Sequence, residues 1–321
     1  MLASAVIASA VLLSSPPALH VVSATGSERP NIVVFYIDDA GTHDGRLWNN
    51  AELTPNMYEQ FVAGGIYFPN AIGETPLCCP GRVGTLTGQH TQNHGVTVND
   101  GRLFKPAMHI GQALLDAGYA TMFVGKYLNR NSPFTAADWK ANGAGWTYLD
   151  VVRGWNGQYF NYTVHTKTGS VRYLTRHSTA MVADRTIDHL RATPASQPVF
   201  AVVSIYNLHQ PNLPMPEFAS DARCDDMPPW KPPNYNEQDV SDKPAPIRAL
   251  PLLRAGDGWP MQGLCREMLG IDQTVGRVVE ELRQQGRLDN TLLVFTSDNG
   301  MTWGAHRVAG KRVPYATPVP L

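Results

Sequence analysis

The 321-residue sequence predicts an α/β fold, a mostly parallel central sheet with helices on both faces. Three observations predict it. Short runs of β-branched and other apolar residues recur at 32–37, 121–124, 199–205 and 292–295, as buried strands require. Segments with helical spacing separate them. Each run ends in polar residues, which places those residues at the carboxyl rim, where open α/β sheets bind ligands.

The elements follow in order. Ile32–Ile37 opens after Arg29-Pro30-Asn31 and ends at Asp38-Asp39. Thr54-Pro55 carries the early proline of a helix start. Ile110, Ala113, Leu114 and Ala117 share one helical face, and Gly118 stops that helix. Thr121–Val124 is a strand ending at Gly125-Lys126; 179–191 is a helix; Val199–Ile205 is a strand ending near Asn207-Leu208-His209. Residues 210–260 are rich in proline and polar residues and show no periodicity, which predicts a long surface excursion. Leu264, Met268, Ile271, Val275, Val278 and Leu282 form one face of a helix that Gly286 ends, and Leu292–Phe295 leads into Ser297-Asp298-Asn299-Gly300.

With 43% hydrophobic residues the chain can bury a large core. Its net charge of −1 offers no basic or acidic excess, which points away from nucleic acid and anionic membranes. Such a chain must gather positive charge locally to bind an anion. Residues 2–13 are small and apolar, and Val22-Ser23-Ala24 offers a cleavage site. Residues 1–24 therefore read as a signal peptide too short for a stable membrane anchor, and the product as secreted, periplasmic or extracellular. Of the four cysteines, Cys78 and Cys79 are adjacent. Cys224 and Cys265 are either a disulfide of an exported protein or two buried thiols. Asn161-Tyr162-Thr163 is a glycosylation sequon, relevant in a eukaryotic secretory pathway.

Asp38, Asp39, Asp298 and Asn299 are oxygen donors of the kind that hard cations such as calcium or magnesium take. Each pair alone is equally an ordinary turn or cap. Arg82, Lys126, His209 and Lys311 are candidates for holding an anion, although each taken singly is ordinary surface or structure, and His306 is as good a candidate as His209. Cys78 is a candidate nucleophile. His90 and His94 lie near it in sequence, so a cysteine hydrolase stays open.

Cys78-Cys79-Pro80-Gly81-Arg82, followed by Leu86-Thr87-Gly88, resembles the sulfatase signature Cys-x-Pro-x-Arg. Pro30–Asp39, Thr54-Pro55-Asn56, Gly118–Asn129, Leu288–Gly300 and Gly310-Lys311 resemble further segments of that family, so the likeness spans roughly 29–321. The Cys-Cys-Pro start, Gly125–Asn129 and Tyr159–Val164 look most like N-acetylglucosamine-6-sulfatases and heparan endosulfatases. The resemblance implies an alkaline phosphatase-like fold and a sulfuric ester hydrolase acting on a sulfated amino sugar or glycosaminoglycan, or on an aryl sulfate. It implies that Cys78 is oxidised to formylglycine by a separate generating enzyme. The hydrated aldehyde would attack sulfur, release the alcohol and then expel sulfate. Asp38, Asp39, Asp298 and Asn299 would hold one calcium ion, with the residue-78 oxygen also a ligand. Arg82 would support that residue. Lys126, His209 and Lys311 would bind the sulfate, one of Lys311 and His209 assisting the leaving group.

The chain departs from the family pattern at four places. Gly81 stands for a serine, Leu128 for a histidine common two residues after the lysine, and Tyr315-Ala316 for a Tyr-Glu pair. Family members also continue with another strand and a small C-terminal subdomain, so 29–321 is expected to be a C-terminally truncated catalytic domain. The alternatives are a phosphate or phosphonate ester hydrolase of the same superfamily, and an inactive truncated relative.

Overall fold

The computed structural model describes residues 29–41, 45–68, 71–105, 109–129, 143–153, 159–254 and 258–313. The leader expected at 1–24, Tyr315-Ala316 and Val319-Pro320-Leu321 lie outside the described residues. Among the described residues, no helix is long and apolar enough to cross a membrane.

β1 (Asn31–Ile37) lies between two parallel neighbours, β6 (Val199–Ile205) and β7 (Thr291–Ser297). Being covered on both faces, it is apolar almost throughout rather than alternating. β2 (Ala120–Gly125) pairs in parallel with β6 and with β3 (Tyr148–Arg153). β4 (Tyr162–Thr166) and β5 (Gly169–Tyr173) add an antiparallel hairpin. The sheet among the described residues runs β5-β4-β3-β2-β6-β1-β7. Its register sets Ile37 opposite both Ile205 and Ser297, and Gly125 opposite Ser204. The residues that follow these strand ends therefore meet at one rim.

Four helices matter most: α1 (Cys78–Thr87), α2 (Ile110–Asp116), α3 (Ser178–Ala192) and α4 (Met261–Gln284). Side chains alternate across each strand, and the core accordingly divides in two. Val33, Phe35 and Ile37 pack with Met181, Leu190, Met268 and Val275 of α3 and α4. Tyr36, Phe123 and Val202 pack on the other face with Val83 and Leu86 of α1. Each such aliphatic side chain contributes about 1.5–3 kcal/mol when fully buried. The six apolar positions predicted for the 264–282 face are all buried.

Elements at 78–87, 148–153, 162–166 and 169–173 were not predicted. α1 contains a proline and two glycines, poor helix formers, and is held by burial rather than propensity. β3 contains Asp150, whose carboxylate is buried against His189 Nε2 at 2.7 Å and Arg185 Nε at 2.6 Å. Those partners come from α3, distant in sequence. The 210–260 segment is also more than a surface excursion. Met215, Cys224 and Trp259 are buried, and Cys224 is disulfide-bonded to Cys265 of α4, with Cα atoms 5.8 Å apart. Anchors at irregular intervals leave no periodicity to read.

His177 caps α3 by accepting from Thr179 N and stacks on Tyr159. Burial pushes its pKa from 6.5 down to about 4.

Two outcomes follow. Cys224→Ser/Cys265→Ser, which frees a loop of 41 residues, should cost up to about 4 kcal/mol by the chain-entropy estimate. Unfolding midpoints with and without reductant measure it, and equal midpoints would count against the bridge. Because the unfolded chain takes up the His177 proton first, stability is full above about pH 6.5 and is lost as pH falls toward about 4, by at most roughly 3 kcal/mol. His177→Asn should lose less stability than wild type between pH 7 and 4.5, as denaturant titrations at both pH values would record.

Candidate active site

Cys78 is the first residue of α1, and Arg82, four residues on, shares its helical face. Pro80 sits in the first turn, where a backbone N–H has no helical partner to lose. Arg82 is 1% exposed. Its Nε donates to Asp298 Oδ2 at 2.7 Å, and its Nη1 donates to Lys126 O at 2.7 Å and Ser204 Oγ at 2.8 Å. Its guanidinium lies 4.8 Å from the Tyr36 ring centre. One side chain thus ties α1 to the ends of β1, β2, β6 and β7.

Gly125 brings Lys126 to the rim. Its φ is 112°, and a Cβ there would fall 1.8 Å from Ser204 O, so only glycine fits. Lys126 Nζ donates to Asp38 Oδ2 and lies 3.6 Å from Asp298 Oδ2. Lys311 Nζ donates to Asp39 Oδ1 and lies 2.8 Å from Cys78 Sγ. Asn299 Nδ2 donates to Asp39 Oδ1 at 2.5 Å, and Asp39 N to Asp298 Oδ1 at 3.2 Å. His209 Nε2 is 3.9 Å from Asp39 Oδ2. Asp39 holds φ at 61°, a strained value for a non-glycine residue.

The structure therefore brings Asp38, Asp39, Cys78, Arg82, Lys126, His209, Asp298, Asn299 and Lys311 together. His306 instead pairs with Glu237 and Asn234. His90 faces Glu74, and His94 Nε2 lies near Gly84. Leu128, at the position of the family's histidine, packs in the apolar core.

Burial opposes the charge on Asp38, but Lys126, aided by His209 and Arg82, overrides it and holds the carboxyl below its usual range. Burial likewise opposes the charges on Lys126 and Lys311, and Asp38 and Asp39 respectively are the chief groups that overcome it, so both lysines are raised. Burial, with Asp38 and Asp298, pushes the Cys78 thiol up against the pull of Lys126 and Lys311.

The donor set fits a hard cation. Asp38 and Asp39 each place a carboxylate oxygen within 4.8 Å of the other and of Cys78 Sγ, and all three residues are buried. Asp38 Oδ1 and Asn299 Oδ1 are buried with no hydrogen-bond partner. A bare buried acceptor costs about 1–3 kcal/mol, which a metal would offset. Asp298 joins the trio through Asp39 N and Arg82. The three carboxylates of Asp38, Asp39 and Asp298 face the three cations Lys126, Lys311 and Arg82. A divalent ion would tip this balance positive and suit the site to an anion.

Sequence reasoning missed several supporting residues. Ser204, the one hydroxyl in an apolar strand, donates to Lys126 O at 2.5 Å. Buried Glu267 interrupts the apolar face of α4. Ser204 was signalled as the lone hydroxyl of its strand, whereas Glu267 shares α4 with the buried Asp272, Thr274 and Glu281 and stood out less. Tyr159, whose hydroxyl donates to His209 O, carried none.

The chain is similar to known proteins over most of its length. The family model described as Sulfatase matches residues 30–318. An arylsulfatase of Volvox carteri is 30% identical over 91% of this chain and 50% of its own length. An N-acetylglucosamine-6-sulfatase of Capra hircus is 29% identical over 88% of this chain and 52% of its own. The chain thus spans about half the length of these curated relatives. A structure solved in complex with its substrate D-glucosamine-2-N,6-O-disulfate shares the fold, with TM-score 0.71 and 20% identity over 91% of this chain and 70% of that one. A phosphonate monoester hydrolase of Agrobacterium radiobacter shares it too, with TM-score 0.64 and 20% identity over 91% of this chain and 67% of that one.

A Cβ at Gly81 would sit 2.6 Å from Asp298 O and 3.2 Å from Thr75 O. Gly81→Ser, although it restores the residue usual in the motif, should therefore destabilise the fold by about 1–3 kcal/mol through overpacking and weaken divalent-cation binding. Thermal unfolding and calcium calorimetry test this; unchanged values in both would show that the Asp298 loop gives way freely.

Proposed function

The chain belongs to the sulfatase family, and from that premise we propose that it hydrolyses sulfate esters of an amino sugar or glycosaminoglycan with a nucleophile made from Cys78. The observation that carries this reading is the convergence of Cys78 with two lysines, an arginine and an acidic cluster at one sheet rim. The carbohydrate class is supported by the N-acetylglucosamine-6-sulfatase relative and by the fold neighbour bound to a sulfated glucosamine. The Volvox relative keeps aryl sulfates among the substrates to be tried.

A cysteine hydrolase is the weaker reading. The two histidines near Cys78 in sequence are engaged elsewhere, His90 facing Glu74 and His94 lying near Gly84, so neither is placed to act as its base. In our reading a generating enzyme oxidises Cys78 to formylglycine, whose hydrated aldehyde supplies an oxygen nucleophile. Asp38, Asp39, Asp298 and Asn299, with residue 78, would hold calcium, which supplies Lewis-acid charge stabilisation. Arg82 fixes residue 78 from below, through one turn of α1. Lys126 and Lys311 are held cationic by the carboxylates and bind the sulfate oxygens. Proton transfer to the departing alcohol is assigned to His209, whose Nε2 stands at the same rim, 3.9 Å from Asp39 Oδ2.

Export fits the same reading. The leader expected at 1–24 would supply a route, and the Cys224–Cys265 disulfide suits an oxidising compartment.

The test is turnover of nitrophenyl sulfate, glucosamine 6-sulfate and nitrophenyl phosphate after co-expression with a generating enzyme. Sulfate release should exceed phosphate release, fall by at least about a thousandfold in Cys78→Ala, and fall on chelation and return with calcium. Preferred phosphate release would establish the phosphoesterase alternative. No release from a folded, modified protein would establish the inactive relative.

A further inference from the structure

The loop after β6 carries His209 between two asparagines, and both reach the same buried carboxylate. Glu267 of α4 is 1% exposed. Its Oε1 accepts from Asn207 Nδ2 at 2.6 Å, and its Oε2 from Asn212 Nδ2 at 3.0 Å. The loop is fixed at other points as well. Asn207 Oδ1 accepts from Thr179 Oγ1, Asn212 Nδ2 also donates to Leu208 O at 3.0 Å, and Asn212 N donates to His209 O at 3.3 Å. Tyr159 Oη donates to the same His209 carbonyl.

We propose that Glu267 is a positioning residue for His209, clamping Asn207 and Asn212 so that the imidazole is held beside Asp39. A carboxylate suits this task because it presents two acceptor oxygens to two amide donors. Glutamine has one acceptor, and its NH2 would face an asparagine NH2. Asn207 cannot turn over to relieve the conflict without setting its Oδ1 against the Leu213 carbonyl, to which its Nδ2 now donates at 3.2 Å. A glutamate on the apolar face of a helix is otherwise a costly choice. Here it links the core helix to the loop at the rim.

The kinetic consequence rests on the sulfatase reading of the site; the geometric one does not. Glu267→Gln should lower kcat for nitrophenyl sulfate about tenfold and change KM little, with Asn212→Ala, which removes one of the two contacts, losing less. The decisive comparison is the double-mutant cycle with His209→Ala. If Glu267 acts through His209, Glu267→Gln should cause no further loss in the His209→Ala background. A full, additive loss there, or wild-type kcat in Glu267→Gln, would overturn the proposal. Histidine-ring NMR of the same proteins, assigned with His209→Ala, gives a readout independent of turnover. The His209 resonances should shift or broaden in Glu267→Gln and Asn212→Ala while those of His94 and His306 stay put. An unmoved His209 overturns the proposal even in an active enzyme, and a moved one supports it even if no sulfate ester is cleaved.

Discussion

Three carboxylates cannot share the buried rim of a sheet unless matching positive charge is buried with them. Asp38, Asp39 and Asp298 are held within the fold only because Lys126, Lys311 and Arg82 reach them. Removing one partner of a buried pair typically costs about 3–5 kcal/mol, because a bare charge is left behind. The parallel register of β1 with β6 and β7 is what delivers the carboxylates to one level, and α1 is what delivers the arginine. The architecture of the sheet and the charge balance at its end are therefore one constraint.

That constraint also explains which parts were readable beforehand. Strands β1, β2 and β6 are buried almost throughout and β7 is half-buried at the sheet edge, but all four announce themselves as apolar runs, so the residues following them could be placed at a rim without a structure. The amphipathic face of α4 was equally plain. What stayed hidden depends on partners far away in the chain. Asp150 makes Tyr148–Arg153 look unlike a strand until His189 and Arg185 of α3 are brought to it. The Pro80, Gly81 and Gly84 of α1 argue against a helix until the surrounding core is assembled around them.

Within the site the same division holds. Asp38, Lys126 and Asp298 could be located from strand ends alone, whereas His209 and His306 were indistinguishable by composition. The structure separates them by context: His209 faces Asp39, and His306 pairs with Glu237. The supporting residues were legible at most as oddities, Ser204 in an apolar strand and Glu267 on an apolar helix face. Their partners are fixed by tertiary geometry, which a one-dimensional pattern does not carry.

Cys78 is 1% exposed and is wound into the first turn of a helix whose arginine is already committed to three strand ends. An enzyme that had to reach the Cys78 thiol would find it covered once the sheet has closed. On the reading proposed above, maturation is then a matter of timing. Chains that fold first would then be closed to modification, and the fraction that matures would be set by a race between folding and modification. A folding-competent but unmodified population would be inert and indistinguishable by shape from the active one.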